Sequence, residues 1–162
     1  MTGTANDAFR AVMRRMPTGV TVVTTIVDGR PKGFTANAFA SVSADPAMIL
    51  ICVNRQARTH PLIATAGHFC VNILRLDQRE IAQRFASHGE TDPFESIAYR
   101  VDASGSPAFD DALAYLDCEL ADVHEAGTHT IFIGRVLACE ARDGSPLGYF
   151  NGTYRDFQCS IP

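Results

Sequence analysis

From Val20 to Val27 the chain reads Val-Thr-Val-Val-Thr-Thr-Ile-Val, and this unbroken β-branched run constrains the fold more than any other stretch. Side chains that branch at Cβ lose rotamer freedom in a helix and pack well on a pleated surface, so the run is read as a strand. Asp28-Gly29 closes it. That pair tolerates the positive φ angles of a tight hairpin, which predicts a return strand passing through Gly33 to Ala36.

Other segments follow the same logic. Met48 to Val53, bounded by Asp45-Pro46 and Asn54, and Phe69 to Leu74 are continuous apolar runs of strand length. Tyr115 to Val123 alternates, with Leu116, Cys118 and Leu120 on one side and Asp117 and Glu119 on the other; Thr130 to Cys139 follows Gly127 as the second arm of a long hairpin. Leu147 to Phe150 is a last short strand. Helical spacing is confined to Asn6–Met16, where Phe9, Val12, Met13 and Met16 recur behind an Asn6 cap and before Pro17, to Pro61–Ala66, and to Leu76–Phe85. Ser87 to Asp111 has little periodicity and reads as a long connection. Six or more strands in mostly antiparallel order, with two or three peripheral helices, make a mostly β chain whose edges are best removed by closing into a barrel.

Length and charge narrow the function. The 162 residues, 46% of them hydrophobic, suit one domain spanning 1–162. A formal charge of -4 leaves no basic stripe for a phosphate backbone, so nucleic acid is not an expected partner. No apolar stretch approaches the about 20 residues of a membrane span, and the first turns lack a signal-peptide centre; a cytoplasmic protein without membrane contact is expected. Cys52, Cys70, Cys118, Cys139 and Cys159 have no C-x-x-C or His spacing, and are read as reduced, mostly buried, and not metal ligands. No G-x-G-x-x-G, phosphate loop or G-x-S-x-G occurs, which disfavours a Rossmann site and hydrolysis.

The stretch Gly33-Phe34-Thr35-Ala36-Asn37-Ala38-Phe39-Ala40-Ser41-Val42-Ser43 crowds small and hydroxyl residues together. It reads either as a polar edge strand with a tight turn or as a platform on which a flat ligand meets backbone N–H and C=O groups. With Pro17-Thr18-Gly19-Val20, Cys52-Val53-Asn54-Arg55, Arg58-Thr59, Phe69 to Leu74, Arg84-Phe85, Leu116-Asp117-Cys118, Gly127-Thr128-His129 and Ile133-Gly134-Arg135-Val136 in this order, the chain resembles the flavin reductase-like family over almost its whole length. The reductases that serve 4-hydroxyphenylacetate, phenol and pyrimidine-ring oxygenases are the nearest resemblance.

That resemblance implies an FMN-binding split β-barrel, a homodimer, a flavin pocket near the subunit boundary, and hydride transfer from NADH or NADPH to FMN or FAD for a partner monooxygenase. It places Thr35, Ala36, Asn37 and Ala38 beside the isoalloxazine and Ser41, Val42, Cys52, Val53 and Asn54 around the ribityl and ring. Arg58 and Thr59 would take the phosphate, Phe85 an apolar wall, and His129 the nicotinamide. The Gly127-Thr128-His129 motif often carries Asp where Thr128 stands, so a role needing a carboxylate there is not carried over. Two rivals share the architecture: a flavin store or sensor without turnover, and an oxidase of pyridoxal-like substrates, which would want more phosphate-binding Arg and Lys than Arg55 and Arg58 supply.

Overall fold

The computed structural model describes residues 4–87 and 92–157; His88 and Cys159 lie outside them. Helix α1 (Ala5–Met13) leads into β1 (Thr18–Gly19) and β2 (Thr21–Val27), which returns as β3 (Arg30–Ala36). β4 (Phe39–Ala44) and β5 (Ala47–Asn54) form the next hairpin, followed by α2 (His60–Ala66), β6 (His68–Ile73), a 3-10 turn at Leu76–Gln78 and α3 (Arg79–Ala86). β7 (Tyr99–Val101) pairs with β8 (Pro107–Phe109), β9 (Ala114–Ala126) with β10 (His129–Ala141), and β11 (Leu147–Phe150) with β12 (Thr153–Asp156). Asp28 and Gly29 take φ of 52° and 70°, the two positive values a type I′ turn requires, so the predicted hairpin forms as read.

The main sheet runs β3-β2-β6-β9-β10-β5-β4, all antiparallel. Its two edges, β3 and β4, are joined by Asn37-Ala38 alone, so the sheet curls until the edges meet. Phe34 and Ala36 from one edge and Phe39 from the other pack on one core of Val23, Ile49, Ile51, Val53, Phe69, Val71 and Phe132 inside the barrel. A second core lies outside it, where Val22, Leu74, Phe85, Phe94 and Phe109 pack under α3. β2 is buried on both faces, Val23 inward and Val22 outward, which explains why its sequence does not alternate.

Three details differ from the sequence reading. Thr4, not Asn6, caps α1: its Oγ1 accepts from the Asp7 N–H at 3.3 Å while the Asp7 carboxylate accepts from the Thr4 N–H at 3.2 Å, and the helix stops at Met13. The stretch expected to be a structureless connection holds β7 and β8, latched down where Phe109 N–H donates to buried Asn72 Oδ1 at 2.7 Å. Strands of three residues are too short to show a period. Among the described cysteines, all free, Cys70 and Cys118 are buried, Cys52 is half-buried and Cys139 is exposed. Burial pushes the Cys118 thiol up to about 12 and the Cys70 thiol higher still. Among the described residues no helix is long and apolar enough to cross a membrane.

Gly134 explains one block of the sequence pattern. A Cβ built there would stand 2.6 Å from Phe69 Cζ and 2.9 Å from Cys118 Cβ, both fully buried, at a register shift between β9 and β10. Gly134→Ala is expected to lower stability by about 1–3 kcal/mol through overpacking, read as a fall in the denaturation midpoint.

At the opposite end of β6 from Ile73, a polar chain pins the 102–106 loop. Buried Asp117 accepts from Ser104 N–H at 2.6 Å and from the Ser104 hydroxyl, Ser106 Oγ lies 3.0 Å from Ser104 Oγ, and His68 Nδ1 lies 2.7 Å from Ser106 Oγ. Burial lowers the His68 pKa below its ordinary 6.5, against the opposing pull of the Asp117 carboxylate. A histidine that binds its proton less readily when folded stabilises the fold above its unfolded pKa and loses that contribution as pH falls through 6.5 toward the folded value. Denaturant titrations from about pH 7.5 to about pH 5.5 should show a loss of unfolding free energy that His68→Gln reduces, well under the about 1.4 kcal/mol per pH unit that one proton allows.

Candidate functional site

The two residues that close the barrel also open the site. β3 and β4 meet at Asn37-Ala38 without pairing to each other, so a gap remains along the seam. Against that link, on the side of α1, lies a cavity of about 890 Å³, within the range that holds small-molecule ligands. Phe9, Met13 and Met16 from α1 and the segment that follows it form one wall, Asn37, Ala38 and Phe39 the seam, and Leu50 and Cys52 of β5 the floor. A smaller space of about 190 Å³, bounded by Thr35, Ala36, Asn37, Tyr149 and Tyr154, adjoins it across Asn37 and Tyr149.

Two groups around the cavity are engaged within the chain. Thr21 Oγ1 donates to Ala36 O at 2.8 Å, and Cys52 N–H donates to Ala38 O at 2.9 Å, which ties the seam to the floor. Thr18 Oγ1 is buried and has no partner. Arg10 stands at the rim, 3.9 Å from Asp7.

β5 carries the site outward from the cavity. Its side chains alternate, so Ile49, Ile51 and Val53 fill the barrel while Leu50, Cys52 and Asn54 face out. Asn54 lies opposite His129 in the β5–β10 register. Arg55 clamps the two strands' ends together: its N–H donates to Thr128 O at 3.0 Å and its Nη2 donates to Gly127 O at 2.7 Å. Gly127, at φ 59°, makes the tight turn, and Thr128 Oγ1 lies 2.9 Å from His129 Nδ1, which orients the ring. The chain then passes exposed Arg58 to Thr59 at the start of α2, where His60 Nε2 meets Thr130 Oγ1 at 2.8 Å.

The residues named from the sequence thus occupy distinct positions. Asn37, Ala38 and Cys52 line the main cavity, and Thr35 and Ala36 the smaller one, with the Thr35 hydroxyl donating to Ala82 O at 2.6 Å. Asn54, Arg58, Thr59 and His129 continue along the outer track. Ser41 and Val42 are exposed on edge strand β4. Val53 and Phe85 send their side chains into the two cores, Phe85 against Phe94 at 4.9 Å between ring centroids, so Val53 offers a ligand only its backbone. The sequence reading left out Phe9, Met13, Met16, Thr18 and Tyr149. Phe9 and Met13 lie on the first helix and Met16 just past its end, an apolar spacing visible in the sequence that did not say what the face covers. Among the described residues no three His, Cys, Asp or Glu side chains come together as a metal site requires.

The chain is similar to known proteins over most of its length. A family model described as flavin reductase like domain covers residues 13–158. A probable flavin reductase of Rhizobium meliloti is 42% identical over 91% of this chain, which spans 46% of that longer protein. The reductase component of 4-nitrophenol 4-monooxygenase/4-nitrocatechol 2-monooxygenase from Rhodococcus opacus is 41% identical over 92% of this chain and 80% of its own. The NADH:FAD oxidoreductase of Streptomyces globisporus, solved with NAD and FAD fragments, superposes with a TM-score of 0.91 at 33% identity, covering 100% of this chain and 98% of the other.

Proposed function

The chain belongs to the flavin reductase-like domain family and has its split-barrel fold, and we propose that this flavin reductase draws a hydride from NADH or NADPH to FMN or FAD in the seam cavity and passes the reduced flavin to a separate monooxygenase component. The observation that carries the reading is the cavity itself: its volume, its mostly apolar walls and its small seam residues suit a flat ring system. The bound flavin and nicotinamide supply the redox chemistry, and the protein supplies placement.

The residues present fit that task. Ala38 and Cys52 leave room for a planar ring against backbone, and Asn37 offers an amide at the ring's edge. Arg58 presents a fixed fork of donors to a phosphate, with the Thr59 hydroxyl beside it. Asn54 and His129 stand on adjacent strands between that phosphate position and the cavity, so one ligand can run along the track and a second can approach from the hairpin tip. Thr128, held against His129 Nδ1, keeps a hydrogen-bonding group where the family often has Asp. Phe9, Met13 and Met16 exclude water from the side the barrel leaves open.

The chain as one domain, a cytoplasmic setting and a homodimer belong to the same reading. In its favour for a dimer, Phe9, Val12 and Met16 are 64%, 68% and 59% exposed, an apolar face that a second copy would cover next to the cavity.

Purified protein given NADH and a catalytic amount of free FMN in air should oxidise NADH continuously; a single stoichiometric loss, or none, would point instead to a store or sensor. His129→Ala should raise the nicotinamide KM or slow hydride transfer about tenfold, the effect of one hydrogen bond, while flavin affinity stays nearly unchanged. Lost flavin binding with an unchanged nicotinamide KM would move His129 to the flavin.

A further inference from the structure

The seam cavity does not end at its helix wall. Arg10, Arg14 and Asn151 line it and also line a second cavity of about 460 Å³, whose remaining sides are Asp7, Ala11 and Arg15. Exposed arginines at 10, 14 and 15 thus border one space in a chain whose formal charge is -4. Asn151 joins them from the turn between β11 and β12, where its N–H donates to Arg14 O at 3.1 Å. Arg10 and Arg14 stand four apart, so like charges share one side of the helix end and repel. The neighbouring acid offsets little of this: the Asp7 carboxylate accepts from Thr4 N–H at 3.2 Å and from the Thr4 hydroxyl at 2.8 Å, and lies 3.9 Å from Arg10. Among the described residues no carboxylate pairs with Arg14 or Arg15.

We propose that this second cavity is an anion subsite, taking an adenylate phosphate of a dinucleotide whose flavin or nicotinamide ring lies in the seam cavity. The inference rests on the reading of the seam cavity as the flavin and nicotinamide site. A guanidinium keeps its charge at any working pH and presents paired N–H donors that match phosphate oxygens, and the Asn151 amide adds a further donor. Because Arg10, Arg14 and Asn151 belong to both cavities, one ligand can occupy the two in a single path. Arg58 and Thr59 are assigned to the phosphate that FMN itself carries, which leaves for the arginines the phosphate that a dinucleotide adds. FAD and a nicotinamide dinucleotide share that chemistry. A phosphate seated there also relieves the repulsion between Arg10 and Arg14, and so helps to order the helix end that walls the seam cavity.

The test uses the double variant Arg14→Gln/Arg15→Gln, which removes two charges and keeps long side chains that suit a helix end. Dissociation constants are measured at low ionic strength for FMN, for FAD, and for NADH and NADPH analogues that cannot donate hydride. The constant for FAD or for a nicotinamide dinucleotide should rise about tenfold in the variant, while that for FMN stays within about twofold. Which constant moves identifies the ligand, and a larger loss for the NADPH analogue than for the NADH analogue assigns the 2′-phosphate. Added salt should weaken the same ligand in the parent protein and have less effect in the variant, because exposed charges are screened. Thermal melting of the ligand-free proteins checks the fold, and the variant should melt no lower than the parent, since it removes like charges. All dinucleotide constants unchanged in the folded variant would overturn the proposal, as would an FMN constant that rises as far as the FAD constant. Ala38→Leu, which fills the seam cavity, separates that failure from the failure of the site reading. If Ala38→Leu weakens FMN binding and the arginine variant affects no dinucleotide, the anion subsite alone is wrong; if Ala38→Leu leaves FMN binding unchanged, the seam cavity is not the site and the proposal falls with it.

Discussion

Everything distinctive in this structure depends on how short the link between β3 and β4 is. Seven strands laid flat at about 4.8 Å spacing would hold their edges about 29 Å apart. Asn37 and Ala38 let the Cα atoms of Ala36 and Phe39 separate by at most about 11 Å. The sheet has no choice but to curl, and it does so around Phe69, Phe132 and Ile51. Yet β3 and β4 do not pair with each other, so the closure is incomplete, and the main cavity lies against the short link between them.

Closure also decides which side chains a ligand can meet. The interior is filled by aromatic and branched residues, and Gly134 removes even a Cβ so that the tip of the Phe69 ring can reach β10. A ligand therefore has to bind outside the barrel wall. On β5 this selects every second residue, which is why Cys52 and Asn54 face the site while Val53 between them belongs to the core. On β10 the hairpin turn at Gly127-Thr128 does the selecting, bringing His129 opposite Asn54.

The sequence was legible where local chemistry and tertiary structure agree. The run from Val20 to Val27 with Asp28-Gly29, the apolar runs at Met48 and Phe69, and the long hairpin arms appear within three residues of their positions, because strand burial and turn propensity act over the same few residues. It was less legible where a partner distant in sequence decides. β8 is a strand because Asn72 and the outer core hold it, and no property of Pro107-Ala108-Phe109 alone says so. The site divides in the same way. The seam stood out by its small and hydroxyl residues, and the roles along it and along the outer track came from the family resemblance, whereas the helix wall was not named, since an amphipathic face shows that something is covered without showing what.

That wall bears on how tightly a ligand is held. α1 has nine residues and none of them is buried, so its own packing contributes little to keeping it in place. A helix of that length is marginal in water, even with the capping box at Thr4 and Asp7. A tie to the barrel follows directly after it, the bond from Asn151 N–H to Arg14 O at 3.1 Å. Whatever occupies the cavity rests against Phe9, Met13 and Met16 and so helps to order the helix that encloses it. Part of the interaction free energy goes into that ordering, which lowers net affinity below what the buried apolar area alone would give. A rigid barrel wall on one side and a weakly anchored helix on the other suit the proposed hand-over, in which a bound flavin has to be released again.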